Sequence, residues 1–150
     1  MNPNIALGRY VREIQARQRL TPAGVADYLI NQLFSPFDQF PQEELWVLVL
    51  NARTIITHEV MVSRGTPDAS LAHPGTIYRE AIRLNACSIV VTHNHPSGDP
   101  EPSDADLQIT TRLRRAGEIL GIPLLDHLIV GAGAWYSLRE HEEEWMSGQP

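Results

Sequence analysis

The feature that most constrains this chain is a nearly continuous apolar run, ELWVLVLN, at residues 44–51. Its β-branched and aromatic side chains favour a strand, and its near lack of polar positions indicates that both faces of that strand are covered. A shorter run, SIVVT at residues 88–92, predicts a second buried strand. Strands covered on both faces need other elements packed above and below the sheet, so the two runs favour a layered α/β fold.

The segments around these runs alternate between extended and helical patterns. Residues 54–63 and the stretch LLDHLIVG predict two more strands, whereas residues 76–86 and 104–120 carry apolar side chains at helical spacing. Gly121 follows the last of these stripes, which is typical of a residue that ends a helix. The order of the elements therefore predicts an α/β layered domain with a central sheet.

The first 40 residues are predicted to be helical. Asn4 can cap a helix that carries most of its aliphatic side chains on one side, and Thr21 followed by Pro22 is a second helix start. The two prolines of SPFDQFPQ would end that second helix. We predict a helical segment at residues 1–40 packed on the core, followed by a domain at residues 41–150.

Composition limits the classes of partner. The net charge of −6 argues against broad binding to a phosphate backbone, and a single cysteine excludes both an internal disulfide and a cysteine zinc cage. No apolar run approaches the roughly 20 residues that span a bilayer. The N-terminus has no apolar secretory core. We expect a cytoplasmic protein with no membrane partner, and its oligomeric state stays open.

Chemistry is concentrated in THNHPSGDPEPSDAD, residues 92–106. His93 and His95 lie two residues apart at a strand end, so both imidazoles should point to the same side. The proline-bearing loop then brings Ser103 and Asp106 to a helix start. Two histidines, a carboxylate and a water complete a four-coordinate catalytic zinc site. The same SDAD segment also fits a helix capping box, which needs no metal, and the spacing leaves both interpretations open.

These residues resemble two nested families. His93-x-His95, seven residues, and Ser103-x-x-Asp106 resemble the JAMM, or MPN+, metalloprotease motif. The longer segments HNHPSGDPEPSDAD, LLDHLIVG, RGT and HPGTIYREAIRLNA resemble the RadC family over roughly residues 40 to 140. The resemblance implies a three-layer α/β/α sandwich with a mixed central sheet, similar to the cytidine-deaminase-like JAB/MPN architecture.

RadC-like proteins are named for a supposed role in DNA repair, and many carry a helix-hairpin-helix segment before this domain. The residues that precede the first predicted strand here contain no GxG hairpin repeat. The chain therefore resembles a short stand-alone form. Its resemblance implies that His93, His95 and Asp106 are zinc ligands. It also implies that Ser103 is the motif serine, which helps to hold the reaction intermediate.

The same resemblance implies a glutamate at the start of a strand, acting on zinc-bound water. We assign this general base to Glu44, immediately before the apolar run, with Glu43 and Glu59 as alternatives. Only one of Glu43 and Glu44 can point inward in an extended chain. The match of LLDHLIVG suggests that Asp126 and His127 support the site, since a nearby carboxylate can orient a ligand imidazole. A buried polar pair satisfied by the backbone is the alternative.

The predicted function is hydrolysis of a peptide or isopeptide bond by a zinc-activated water, with a protein or peptide substrate. Deubiquitinating JAMM members usually carry Ser between the two histidines, whereas this chain has Asn94, so ubiquitin is not implied as substrate. The alternative is a genome-maintenance accessory protein that binds nucleic acid or a repair partner and does not use its metal site for proteolysis. The net charge does not support nucleic-acid binding. A zinc deaminase is disfavoured because it needs cysteines that this chain lacks.

Overall fold

The computed structural model describes residues 5–6, 9–16, 21–65, 73–142 and 145. Its strands are β1 (Ile5–Ala6), β2 (Arg9–Ala16), β3 (Glu44–Leu50), β4 (Ile56–Arg64), β5 (Ser88–Asn94), β6 (Leu124–Val130) and β7 (Trp135–Ser137). Its α-helices are α1 (Pro22–Tyr28), α2 (Pro74–Arg83), α3 (Asp104–Leu120) and α4 (Leu138–His141). A π-helical turn (Leu29–Leu33) and a 3-10 turn (Phe37–Gln39) follow α1.

The described strands form one mixed sheet in the order β1-β2-β4-β3-β5-β6-β7. β3 lies near its centre and pairs antiparallel with both β4 and β5, whereas β5 and β6 run parallel. Leu45, near the start of β3, lies opposite His93, near the end of β5. This register brings the segment before β3 next to the two histidines.

Both faces of the sheet are covered, as the apolar run at residues 44–51 predicted. On one face, Trp46, Leu48 and Leu50 belong to a core cluster shared with α1 and the π-helical turn. On the other face, Val47 and Val49 belong to a cluster shared with α2 and α3. The alternation of β3 side chains thus feeds two cores, and the predicted three-layer α/β/α sandwich with a mixed sheet is confirmed.

The N-terminal segment differs from its prediction. The prediction of a helix beginning after Asn4 was wrong, because β1 and β2 occupy residues 5–6 and 9–16. β2 pairs antiparallel with β4, with Val11 opposite Val60. This pairing gives hydrogen-bond partners to backbone groups that an edge strand would leave unpaired, a long-range gain that overrides local helical spacing.

The second predicted helix is confirmed as α1. The Thr21 side chain accepts a hydrogen bond from the Gly24 amide at 3.1 Å, and Pro22 occupies the first helical turn. Because β2 joins the main sheet and α1 packs into the core, the segment before residue 41 contributes to both. The proposed division at residue 41 itself stays a prediction. No helix within the described part of the chain combines the length and apolar character needed to cross a membrane.

Candidate metal centre

The two histidines converge at the end of β5. His93 is its second-last residue, and the His95 amide donates to Val130 O at 2.9 Å, which extends the pairing with β6 beyond the strand. The two Nε2 atoms are 3.0 Å apart. The alternation of an extended chain therefore places both imidazoles on the same side, as the sequence predicted.

Asp106 joins the histidines from the first turn of α3. Its Oδ1 lies 3.3 Å from His93 Nε2, and its Oδ2 lies 3.4 Å from His95 Nε2. The capping box is formed as well, because the Ser103 amide donates to Asp106 Oδ2 at 2.9 Å and the Asp106 amide donates to Ser103 Oγ at 3.1 Å. The two interpretations of SDAD are thus both realised: the cap fixes the carboxylate that faces the imidazoles.

The glutamate beside the histidines is Glu43. Its Oε1 lies 3.3 Å from His93 Nε2 and 3.8 Å from His95 Nε2. The expected position of Glu44 at this cluster was wrong, and Glu59 also lies elsewhere, with Glu44, along a cavity of about 370 Å³ next to Trp46. The register explains the choice, because Leu45 shares the face of His93 and the residue two positions earlier therefore does too.

Glu44 instead has partners on the opposite face of the sheet. Its Oε1 accepts from Trp46 Nε1 at 2.9 Å, and its Oε2 accepts from Arg64 Nε at 3.1 Å. Arg64 is on β4 and lies directly opposite Glu44 on β3. The carboxylate of Glu44 is therefore held in place and charge-balanced by protein groups.

The spacing of the four side chains fits a metal ion. A tetrahedral zinc ion with ligand bonds of about 2.0–2.1 Å has ligand atoms about 3.3 Å apart. Glu43, His93, His95 and Asp106 each offer one ligand atom, and these atoms all lie within 4.8 Å of one another. The shorter separations, between 3.0 and 3.8 Å, bracket the tetrahedral value. This partly buried group of nitrogen and oxygen donors can therefore hold a metal ion.

Hydrogen bonds behind the imidazoles orient them. His95 Nδ1 lies 2.9 Å from Asp99 O, an acceptor that makes Nδ1 the protonated nitrogen and leaves the Nε2 lone pair for the cluster. His93 Nδ1 lies 2.8 Å from Nε2 of His127, which is 1% exposed. Burial, followed by the neighbouring His93, lowers the pKa of His127 to about 3, so its ring is neutral at physiological pH.

Asp126 and His127 have different roles. Asp126 touches no ligand imidazole: its Oδ1 accepts from the amides of His127 and Arg139 at 2.7 and 3.1 Å, and its Oδ2 accepts from Ser137 Oγ at 2.7 Å. Burial raises the pKa of Asp126 to about 6, against the opposing effect of these hydrogen bonds. Asp126 therefore ties β6 to the start of α4, and His127 alone of the pair contacts a histidine of the cluster.

The two carboxyl groups of the cluster titrate in opposite directions. Burial raises the pKa of Glu43, and the neighbouring His93 and His95 only partly offset this effect. Burial also acts to raise the pKa of Asp106, but the neighbouring His93 and His95 outweigh it and hold that pKa well below its usual range. Asp106 therefore stays an anion, while Glu43 is the better proton acceptor of the two.

Ser103, Asn94 and Thr110 are further polar residues near the cluster, and of these the sequence predicted a role only for Ser103. Ser103 is exposed, and because its Oγ accepts in the capping box, its own O–H remains a donor. Asn94 points away from the cluster: its Oδ1 accepts from the Glu44 amide at 2.7 Å and its Nδ2 donates to Gln42 O at 3.1 Å. Asn94 thus fixes the segment that carries Glu43.

Thr110 was missed altogether. It lies one turn after Asp106 on α3, buried against His127. A threonine four residues after a predicted ligand shares that ligand's side of a helix, which is the one signal that could have identified it.

Comparison with known proteins agrees with this geometry. A family model described as a RadC-like JAB domain matches residues 20–144. The chain belongs to the RadC family. The match begins before α1, earlier than the resemblance noted from about residue 40, and it includes every residue of the metal-binding cluster.

Several bacterial relatives of this RadC-family chain carry the name UPF0758 protein. One from Chlorobium luteolum is 50% identical over 99 residues, covering 66% of this chain and 44% of the relative. One from Clostridium botulinum is 42% identical over 120 residues, covering 80% and 51%. One from Chlorobaculum tepidum is 49% identical over 100 residues, covering 67% and 45%. The chain spans about half the length of the curated relatives it matches.

Proposed function

We propose that this RadC-family chain is a zinc-dependent hydrolase of the JAMM type that cleaves a peptide or isopeptide bond. The observation that supports the proposal most is the convergence of His93, His95 and Asp106, whose facing atoms lie 3.0 to 3.4 Å apart, close to the separation of tetrahedral ligands, with Glu43 beside them. Imidazole nitrogen combined with carboxylate oxygen suits zinc, whereas magnesium and calcium prefer oxygen ligands alone. The cytoplasmic location stays a prediction.

Each side chain of the cluster has a part in the proposed reaction. A zinc ion held by His93, His95 and Asp106 would supply Lewis acidity, which brings the pKa of water to about 7 and polarises a carbonyl group. Glu43 accepts the proton of the attacking water and passes it to the leaving amine. Its raised pKa and its place beside both histidines suit this exchange.

Ser103 acts on the substrate's carbonyl oxygen. Its O–H donates a hydrogen bond as negative charge develops there, an interaction typically worth about 3 kcal/mol in catalysis. The capping box supports this role, because it fixes Ser103 next to Asp106 while leaving the hydroxyl proton available. The substrate would be a protein or peptide, and no covalent intermediate is needed.

The neighbouring glutamates provide the test. We expect zinc-loaded wild type to generate new termini in a proteome-derived peptide library read by mass spectrometry. Glu43→Gln should retain stoichiometric zinc and lose cleavage by about 10²- to 10⁴-fold, the usual contribution of a positioned base. Glu44→Gln is the matched control, since its side chain faces Trp46 and Arg64, and it should retain both zinc and cleavage.

Two results would contradict the proposal. New termini made equally by wild type and Glu43→Gln would mean that the cluster does not carry out the cleavage. Loss of zinc from Glu43→Gln would make Glu43 a fourth ligand rather than the base. Elemental analysis of each preparation separates these two cases.

Nucleic-acid binding by a genome-maintenance protein stays an untested alternative. The net charge of −6 opposes it. Helix α3 carries a cluster of three arginines, Arg112, Arg114 and Arg115. The Arg114 guanidinium lies over the ring of Trp145, at 4.7 Å from its centroid. Part of this arginine cluster is thus used in packing.

A further inference from the structure

A buried line of polar contacts connects α3 to the back of His93. His93 Nδ1 lies 2.8 Å from His127 Nε2, and His127 Nδ1 lies 2.5 Å from Thr110 Oγ1. Thr110 Oγ1 in turn donates to Asp106 O at 2.7 Å. Thr110, His127 and His93 are 4%, 1% and 3% exposed, so water does not compete for these hydrogen bonds. The line thus begins and ends at residues of the metal-binding cluster.

One set of hydrogen-bond directions along the line leaves His93 in the tautomer that binds a metal. A carbonyl oxygen can only accept, and in this set the single hydroxyl proton of Thr110 goes to Asp106 O. Thr110 Oγ1 then accepts from His127 Nδ1–H, which leaves a lone pair on His127 Nε2 to accept from His93 Nδ1–H. His93 is left with an unprotonated Nε2, the atom that faces Asp106 and Glu43. Only this tautomer can bind a cation through Nε2.

We propose that Thr110 is a positioning residue for the metal, acting through His127 to hold His93 in its ligand tautomer and orientation. The inference rests on the proposed function for the presence of the metal. Packing of α3 and capping of α3 do not require these hydrogen bonds, whereas a fixed tautomer of His93 does.

The hydroxyl of Thr110 should stabilise the metal-bound protein more than the metal-free protein. Without a metal, the hydrogen bonds could also run the other way, with the Thr110 hydroxyl donating to His127 Nδ1 and His127 Nε2–H donating to His93 Nδ1. With a metal on His93 Nε2, Nδ1 of His93 must carry the proton, so His127 must keep its own proton on Nδ1. That buried proton then needs the Thr110 oxygen. Loss of the hydroxyl should therefore weaken metal binding more than it weakens the fold.

The experiment compares two adjacent threonines of α3. Thr110→Val removes the acceptor with little change in shape, and Thr110→Ser restores it. Thr111→Val is the matched control, because the Thr111 hydroxyl also donates to the carbonyl one turn back, that of Leu107, at 3.1 Å. Zinc dissociation constants are measured by competition with a chromophoric chelator. We expect Thr110→Val to bind zinc about 10- to 100-fold more weakly than wild type, while Thr110→Ser and Thr111→Val stay close to it.

A spectroscopic readout on wild type avoids dependence on the folding of any variant. Long-range ¹⁵N–¹H spectra of the imidazoles in the zinc-loaded protein should show His127 protonated on Nδ1. Protonation of His127 on Nε2, or equal zinc affinities for Thr110→Val and Thr111→Val, would overturn the inference while leaving the zinc site intact. A wild-type protein that binds no zinc would instead overturn the proposed function on which the inference rests.

Discussion

The two faces of the sheet differ sharply at the start of β3 and at the adjoining parts of β5, which pairs with β3, and β6, which pairs with β5. Three neighbouring segments each present two adjacent polar residues, one to each face. On one face these residues contact each other; on the opposite face each is bonded to other protein groups. The pairs are Glu43 with Glu44, His93 with Asn94, and His127 with Asp126.

The difference teaches which polar groups need a ligand from outside the chain. Glu44 is balanced by Arg64 and bonded to Trp46, so its carboxylate is satisfied within the protein. Glu43 and Asp106 face imidazoles whose Nε2 lone pairs point to the same place. Carboxylates and lone pairs that share one place repel unless a cation or protons join them, and a metal ion provides that charge. The two faces carry similar types of polar residue. The faces differ in whether those residues find hydrogen-bond and ion-pair partners within the protein.

The largest expected effect is on zinc binding, which variants on one face of the sheet should lose and a variant on the opposite face should keep. His95→Ala and Asp106→Asn each remove one of the three proposed protein ligands, and we expect zinc affinity to fall by roughly 100-fold or more, since zinc binding at structural sites supplies about 10–16 kcal/mol in all. Glu44→Gln, on the opposite face, should retain stoichiometric zinc. Elemental analysis after dialysis measures all three. Zinc that persists unchanged in both ligand variants would refute the ligand set.

The next largest effect concerns stability and lies on the opposite face. The amide of Asn94 is fully buried and bonds to the Glu44 amide and to the carbonyls of Gln42 and Phe40. Asn94→Ala leaves these three backbone groups unsatisfied, and we expect a loss of at least about 3 kcal/mol in unfolding free energy, at about 1–3 kcal/mol per group. Urea denaturation of the metal-free protein measures it. A loss below 1 kcal/mol would show that water replaces the amide.

How much of this arrangement the sequence could predict depends on the range of the interaction. Alternation within β5 placed His93 and His95 on the same side, because two residues is a local distance. The same rule required Glu43 and Glu44 to diverge but could not say which faced the histidines. That choice follows from the pairing of Leu45 with His93, which are far apart in sequence.

Two other misses have the same physical origin. The helical spacing near the N-terminus was outweighed by pairing of β2 with β4, a contact across some 45 residues. The role of Thr110 was missed because its contact with His127 depends on how α3 packs against β6. Local pattern thus predicted the elements and the ligands on β5 and α3, while sheet register and helix packing decided the rest.

A smaller effect tests the titration of the opposite face. The pKa of Asp126 is raised from 3.8 to about 6 by burial, so the folded protein binds this proton more tightly than the unfolded chain does. Its stabilising effect is fully present below about pH 4 and is lost as the pH rises through 6. The unfolding free energy of wild type relative to Asp126→Asn should fall across this range by up to about 3 kcal/mol. A difference that rises with pH would contradict the buried acid.

The smallest expected effect concerns the ion pair that distinguishes Glu44 from Glu43. The Arg64 side chain is 58% exposed, so water and salt screen its attraction for Glu44. Arg64→Met should lower the unfolding free energy by about 1 kcal/mol or less, with the difference shrinking at high salt, and should leave zinc affinity unchanged. Urea denaturation at two salt concentrations measures the first effect, and chelator competition measures the second. A fall in zinc affinity would mean that the two faces are coupled through the backbone between Glu43 and Glu44.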